Sequence, residues 1–165
     1  TGLRGRELNM LEAIGASPDW VTVQPGKDAF VGLLASCVFR EGMADRVTKL
    51  ITLIDSAMDW KKTAMLDGIA STAPLASKGK KPPKVRPLKL PSEPVILTAM
   101  TSSKDKKLAD KAARALSLIV WPGKPGVELE PEAKPLTAAQ QARFDAGKEL
   151  YSFSCGMCHQ PDGRG

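Results

Sequence analysis

Two proline-dense stretches divide this chain, and no regular element can run through either of them. The first is APLASKGKKPPKVRPLKLPSEP, from Ala73 to Pro94; the second is PGKPGVELEPEAKP, from Pro122 to Pro135. Each proline fixes its own φ, removes a backbone donor and pushes the preceding residue toward extended conformations, so both stretches end whatever helix precedes them. The first is expected to be polyproline-like and solvated. The chain is therefore read as a module over 1–121 with a basic, proline-rich linker inserted at 74–94, a second linker at 122–136, and a C-terminal piece at 137–165.

Outside the linkers the apolar residues recur at helical spacing. In LRGRELNMLEAIGA, Leu8, Leu11 and Ile14 share a face; in GKDAFVGLLASCVFREG, Phe30, Leu33, Leu34, Cys37 and Val38 are expected to point inward. MADRVTKLITLIDSA repeats the pattern with Met43, Val47, Leu50, Ile51 and Ile54, and Gly42 between the two reads as a helix stop. Asp59 is the expected N-cap of DWKKTAMLDGIAST. Beyond the first linker, SKDKKLADKAARALSLIVW carries Leu108, Ala112, Ala115, Leu116 and Ile119 at i, i+4, i+7, i+8 and i+11. Short helices with one apolar stripe each must bury those stripes on one another, which predicts an all-α, antiparallel helical stack. No strict sequence repeat is visible.

Charge narrows the partners. The net +6 resides in one stretch: residues 78–89 hold Lys78, Lys80, Lys81, Lys84, Arg86 and Lys89 with no acid, leaving 18 basic against 18 acidic residues elsewhere. A segment of this composition reads as a solvated spacer, or as a surface for steering an acidic redox partner or meeting anionic lipid; nucleic acid is not an expected partner. No apolar run approaches the roughly 20 residues that span a bilayer, so no membrane span is expected. The opening TGLRGRELNM has neither an initiator Met nor the layout of a signal peptide, and the chain is read as a piece of a longer product.

The C-terminal piece begins with a capping box, Thr137-Ala138-Ala139-Gln140, and its helix runs toward Cys155-Gly156-Met157-Cys158-His159. Gly147, Tyr151 and Cys155, at i, i+4 and i+8, lie along one side of that helix. C-x-x-C-H is the spacing at which two thiols can add to the vinyl groups of a haem while the next residue offers its imidazole to the iron. A thioredoxin-like redox pair would instead follow a strand and open a helix. A zinc site from Cys37, Cys155, Cys158 and His159 is arithmetically available, but adjacent residues rarely both reach one tetrahedral ion, and Cys37 reads as a small core hydrophobe. Asp162-Gly163-Arg164-Gly165 reads as a turn. The single histidine, His159, has no serine partner in any hydrolase pattern, and neither a phosphate-loop motif nor H-E-x-x-H occurs, so no catalytic residue is assigned.

The stretch LTAAQQARFDAGKELYSFSCGMCHQPDGRG resembles the opening of a small c-type cytochrome domain, with a glycine and an aromatic four apart, the aromatic four before the first cysteine, then C-x-x-C-H and a glycine-rich turn. The resemblance implies haem c held covalently through Cys155 and Cys158, with His159 as the proximal iron ligand. It also implies a contact at Gly147 and Tyr151 with a later helix. Met157 lies inside the attachment loop and cannot be the distal ligand; the remaining methionines read as core or helix-surface residues, and no distal ligand is named. Only the truncated N-terminal part of such a domain is recognised.

The order of helices, the phrase SLIVWPGKPG, a linker and the haem motif is similar to the C-terminal portion of large exported bacterial dehydrogenase-type proteins: a β-propeller, HEAT-like helical repeats and a c-type cytochrome. That resemblance implies electron transfer, a redox partner protein or an upstream dehydrogenase domain, and a periplasmic or cell-surface location. The competing expectation is a helical scaffold or protein-interaction module whose haem motif is vestigial.

Overall fold

The computed structural model describes residues 5–73, 87–127 and 135–156. They are mostly helical, in the order α1 (Glu7–Ala16), a 3-10 turn (Pro18–Trp20), α2 (Lys27–Arg40), α3 (Ala44–Ser56), α4 (Asp59–Ala70), β1 (Leu88–Lys89), α5 (Val95–Met100), α6 (Lys106–Ser117), β2 (Ile119–Val120) and α7 (Ala138–Ser154). The chain divides into two compact units, Thr1–Leu129 and Glu130–Gly165.

In the first unit the helices form two rows: α2 packs on α4 and α4 on α6, while α1 packs on α3 and α3 on α5. Contacts of α1 with α2, α3 with α4 and α5 with α6 join the rows. The sequence explains the clearest case, α3. Val47, Leu50, Ile51 and Ile54 are all buried, at i, i+3, i+4 and i+7, whereas Thr48, Lys49, Thr52 and Asp55 face solvent. Each fully buried aliphatic side chain contributes about 1.5–3 kcal/mol. Gly42 ends the preceding helix at φ +70, a left-handed conformation that favours glycine, and donates its N–H to the Phe39 carbonyl at 3.1 Å.

Several expected positions shift. On α2 the buried face is Val31, Leu34, Ala35, Val38 and Phe39; Leu33 is 59% exposed and Cys37 only half-buried. The face is turned because α4 approaches closely at Gly32. A Cβ on Gly68 would stand 2.0 Å from the Gly32 carbonyl oxygen, and one on Gly32 would stand 3.0 Å from the Ala64 carbonyl oxygen. Small residues thus occupy the α2–α4 crossing, and the larger Leu33 is displaced outward. Met43 is also exposed, at the extended N-cap of α3, and Met58 rather than Asp59 is the N-cap of α4. Asp59 lies in the first turn, where its carboxylate complements the positive end of the helix dipole.

The first linker is not solvated to its end. Leu88 donates its N–H to the Leu118 carbonyl at 2.9 Å and Leu90 donates to Val120 at 2.8 Å, so β1 and β2 form a parallel pair in the register Leu88↔Ile119 and Lys89↔Val120. Leu90 and Pro94 are buried, and α5 follows at once. Residues 74–86, with most of the basic run, lie outside the described residues. Ile119, expected on a helix face, is buried in β2 instead: α6 stops at Ser117, where β-branched Ile119 and Val120 adopt extended backbone. Asp105 starts α6, its Oδ1 accepting from Lys107 N at 2.9 Å and Leu108 N at 3.4 Å.

Polar ties lock the helix ends. Arg46 on α3 reaches Glu41 Oε2 at 2.5 Å, Glu7 Oε2 at 3.9 Å and, as donor, the Gly5 carbonyl at 3.2 Å. Each of the three tryptophans carries a lysine over its ring: Lys27 over Trp20 at 5.1 Å, Lys61 over Trp60 at 5.6 Å and Lys124 over Trp121 at 4.8 Å. Each of these ammonium groups also donates to backbone carbonyls. Lys61 is buried and donates to Ile14 in the last turn of α1 at 2.9 Å. Lys124 donates to Leu116 at 2.9 Å and Ile119 at 2.6 Å, closing the end of α6. The phrase SLIVWPGKPG thus has a structural role, with Trp121 buried and Lys124 capping a helix.

Candidate functional site

The C-terminal unit is built on α7. Thr137 N–H donates to Gln140 Oε1 at 2.9 Å, and Gln140 N–H donates back to Thr137 Oγ1 at 3.4 Å, forming the capping box that the sequence announces. Gln141 Nε2 donates to Asp145 Oδ1 at 2.9 Å one turn later. The helix runs without Pro to Ser154, and Cys155 closes it by donating its N–H to the Tyr151 carbonyl at 2.8 Å.

Helical geometry therefore aligns Gly147, Tyr151 and Cys155 on successive turns, with Phe144 on the same side. Cys155 carries an exposed, free thiol, Tyr151 is half-buried, and a Cβ on Gly147 would meet nothing within 4 Å. Phe144, Leu150 and Phe153 are exposed, Phe153 by 87%. An unhindered thiol at the end of a helix, beside an aromatic ring, suits attachment to a flat, largely apolar group.

Of the residues that the sequence assigns to the haem, only Cys155 lies among the described residues; Cys158 and His159 lie outside them. The described residues contain no group of three or more His, Cys, Asp or Glu able to hold a metal ion. Cys37, the fourth member of the zinc alternative, sits half-buried on α2 and is free.

Two features of the first unit went unread in the sequence. Burial lowers the pKa of the Lys61 ammonium, with repulsion from Lys27 second, and burial likewise lowers that of Lys124. These lysines hold helix ends, and the adjacent Trp60 and Trp121 were the only available signal. The other feature is a groove of about 690 Å³ along α2 and α4, bordered by Asp28, Leu33, Arg40, Asp59, Trp60 and Asp67. Its residues come mainly from two separate helices, so no local motif marks it.

No helix among the described residues is long and apolar enough to cross a membrane. No family model, curated protein or solved structure matches the chain.

Proposed function

We propose that this chain serves electron transfer through a covalently bound c-type haem, as part of a larger exported dehydrogenase-like protein. The observation that carries the reading is the C-x-x-C-H motif from Cys155 to His159, directly following a capped helix that aligns Gly147, Tyr151 and Cys155. Cys155 and Cys158 would hold the group by thioethers and His159 would ligate its iron, which when bound supplies one-electron redox chemistry. The exposed Cys155 thiol fits that attachment, and the Tyr151 ring supports a neighbouring apolar surface. No distal ligand and no catalytic residue are assigned to this chain.

The two-row packing of α1–α6 supports reading the first unit as HEAT-like, a scaffold holding the haem segment near an upstream dehydrogenase domain or a redox partner protein. Thioether attachment is made in exported compartments, which favours the periplasm or cell surface. The same packing favours the second reading, a helical interaction scaffold with a vestigial haem motif.

Expression of the full-length gene product with the cytochrome c maturation machinery separates them. A Soret band and a mass gain of one haem are expected, with Cys155→Ser or Cys158→Ser each losing one covalent link and Cys37→Ser leaving haem content unchanged. Clean apo-protein under those conditions would overturn the haem reading.

A further inference from the structure

The groove between α2 and α4 lies wholly within the first unit and owes its shape to the glycine crossing. Because Gly68 and Gly32 bring two backbones together, the lining there is main chain and small side chains, including Ala64 and Ser36. Its volume of about 690 Å³ is in the range that encloses a few side chains. Its apolar residues are open: Leu33 is 59% and Val23 52% exposed, and Trp60 is half-buried with its indole N–H donating to the Val21 carbonyl at 3.1 Å.

The border is acidic on a chain whose net charge is +6. Asp28 and Asp59, in the first turns of α2 and α4, make no ion pair among the described residues, while Asp67 is held by Lys111. Among the described residues that line the groove, Arg40 is the one basic residue. Carboxylates beside exposed aliphatic groups complement a segment carrying both ammonium or guanidinium groups and an aliphatic anchor, and they repel phosphates of nucleic acid or lipid.

We propose that the α2–α4 groove docks a basic, amphipathic peptide segment of a partner protein, with Leu33, Val23 and Trp60 receiving its aliphatic side chains and Asp28 and Asp59 its cations. The proposal does not depend on haem attachment.

Isothermal titration of the 165-residue chain tests it with three capped hexapeptides: Lys-Leu-Lys-Lys-Leu-Lys, its glutamate counterpart, and a version with glycine for leucine. The first should bind, weakening about tenfold in Asp28→Asn/Asp59→Asn, in Leu33→Ala and at about 0.5 M salt. The glutamate peptide should give no heat, and the glycine peptide should bind about tenfold more weakly. Asp110→Asn, outside the groove, should change nothing. Far-UV circular dichroism checks that each variant folds, and Leu33→Gln replaces Leu33→Ala should that variant lose helix. Absence of binding at millimolar peptide, equal binding of the glutamate peptide, or affinity indifferent to the groove variants would overturn the proposal. So would concentration-dependent dimerisation abolished by Leu33→Ala, which would make a second copy the occupant.

Discussion

The helices α3 and α7 have the same secondary structure and opposite surroundings. In α3 the apolar stripe is fully enclosed, Leu50 and Ile54 at 0% exposure; in α7 Tyr151 alone is half-buried among exposed neighbours, Phe144, Leu150 and Phe153 included. Yet α7 is the longer helix and the one with a capping box, whereas α3 has no side-chain cap. Local hydrogen bonding suffices to define where a helix begins, but burial depends on another element being present to accept the stripe.

The largest expected effect contrasts these two helices directly. Leu50→Ala should cost about 2–5 kcal/mol in global denaturant unfolding, because it opens a cavity in an enclosed core, whereas Phe153→Ala should cost less than about 0.5 kcal/mol. A comparable loss from both would mean that α7 is covered in solution.

Glycine sharpens the same contrast. Gly68→Ala must displace backbone at the α2–α4 crossing and should destabilise by about 3 kcal/mol, lowering the melting temperature. Gly147→Ala meets open space and should raise α7 helicity by up to about 1 kcal/mol, measured by amide hydrogen exchange. Destabilisation from the second change would reveal a close contact at Gly147.

Smaller still is the cap. Thr137→Ala should cost α7 about 1 kcal/mol and increase exchange in its first turn, leaving α1–α6 unchanged. Exchange that accelerates equally in α3 would show that the two units unfold together.

The smallest effect is a pH dependence. Burial holds the Lys61 pKa below its ordinary 10.5, so in the alkaline window below 10.5 the unfolded chain binds more protons than the folded one. This group's contribution to stability therefore improves as pH rises through that window. Lys61→Met should lack the rise, and a wild-type minus variant difference that stays flat with pH would mean that the amine is well solvated.

Legibility followed the range of the interactions. The stripe of α3 and the Thr137–Gln140 box were readable because their partners lie within one or two turns. On α2 the expected Leu34 and Val38 are buried and Phe30 packs half-buried against the core, but Leu33 faces outward, because the close approach of α4 at Gly32 is a contact between distant residues that no local spacing announces. A six-residue α5 and two-residue strands are too short for any periodicity to register. In the candidate haem site the motif itself was visible, and the structure adds the exposure of Cys155 and the open side of Gly147.

The sequence alone determined the all-α class, the helix-breaking linkers, the capped start of α7 and the C-x-x-C-H spacing, since each is a matter of backbone chemistry or of residues within a few turns. Tertiary structure alone decided the Gly32–Gly68 crossing, the pairing of Leu88 with Ile119, the burial of Lys61 against the end of α1 and the acidic groove along α2 and α4. The partners in those contacts stand 31 to 47 positions apart, and only the packing of whole helices brings them together.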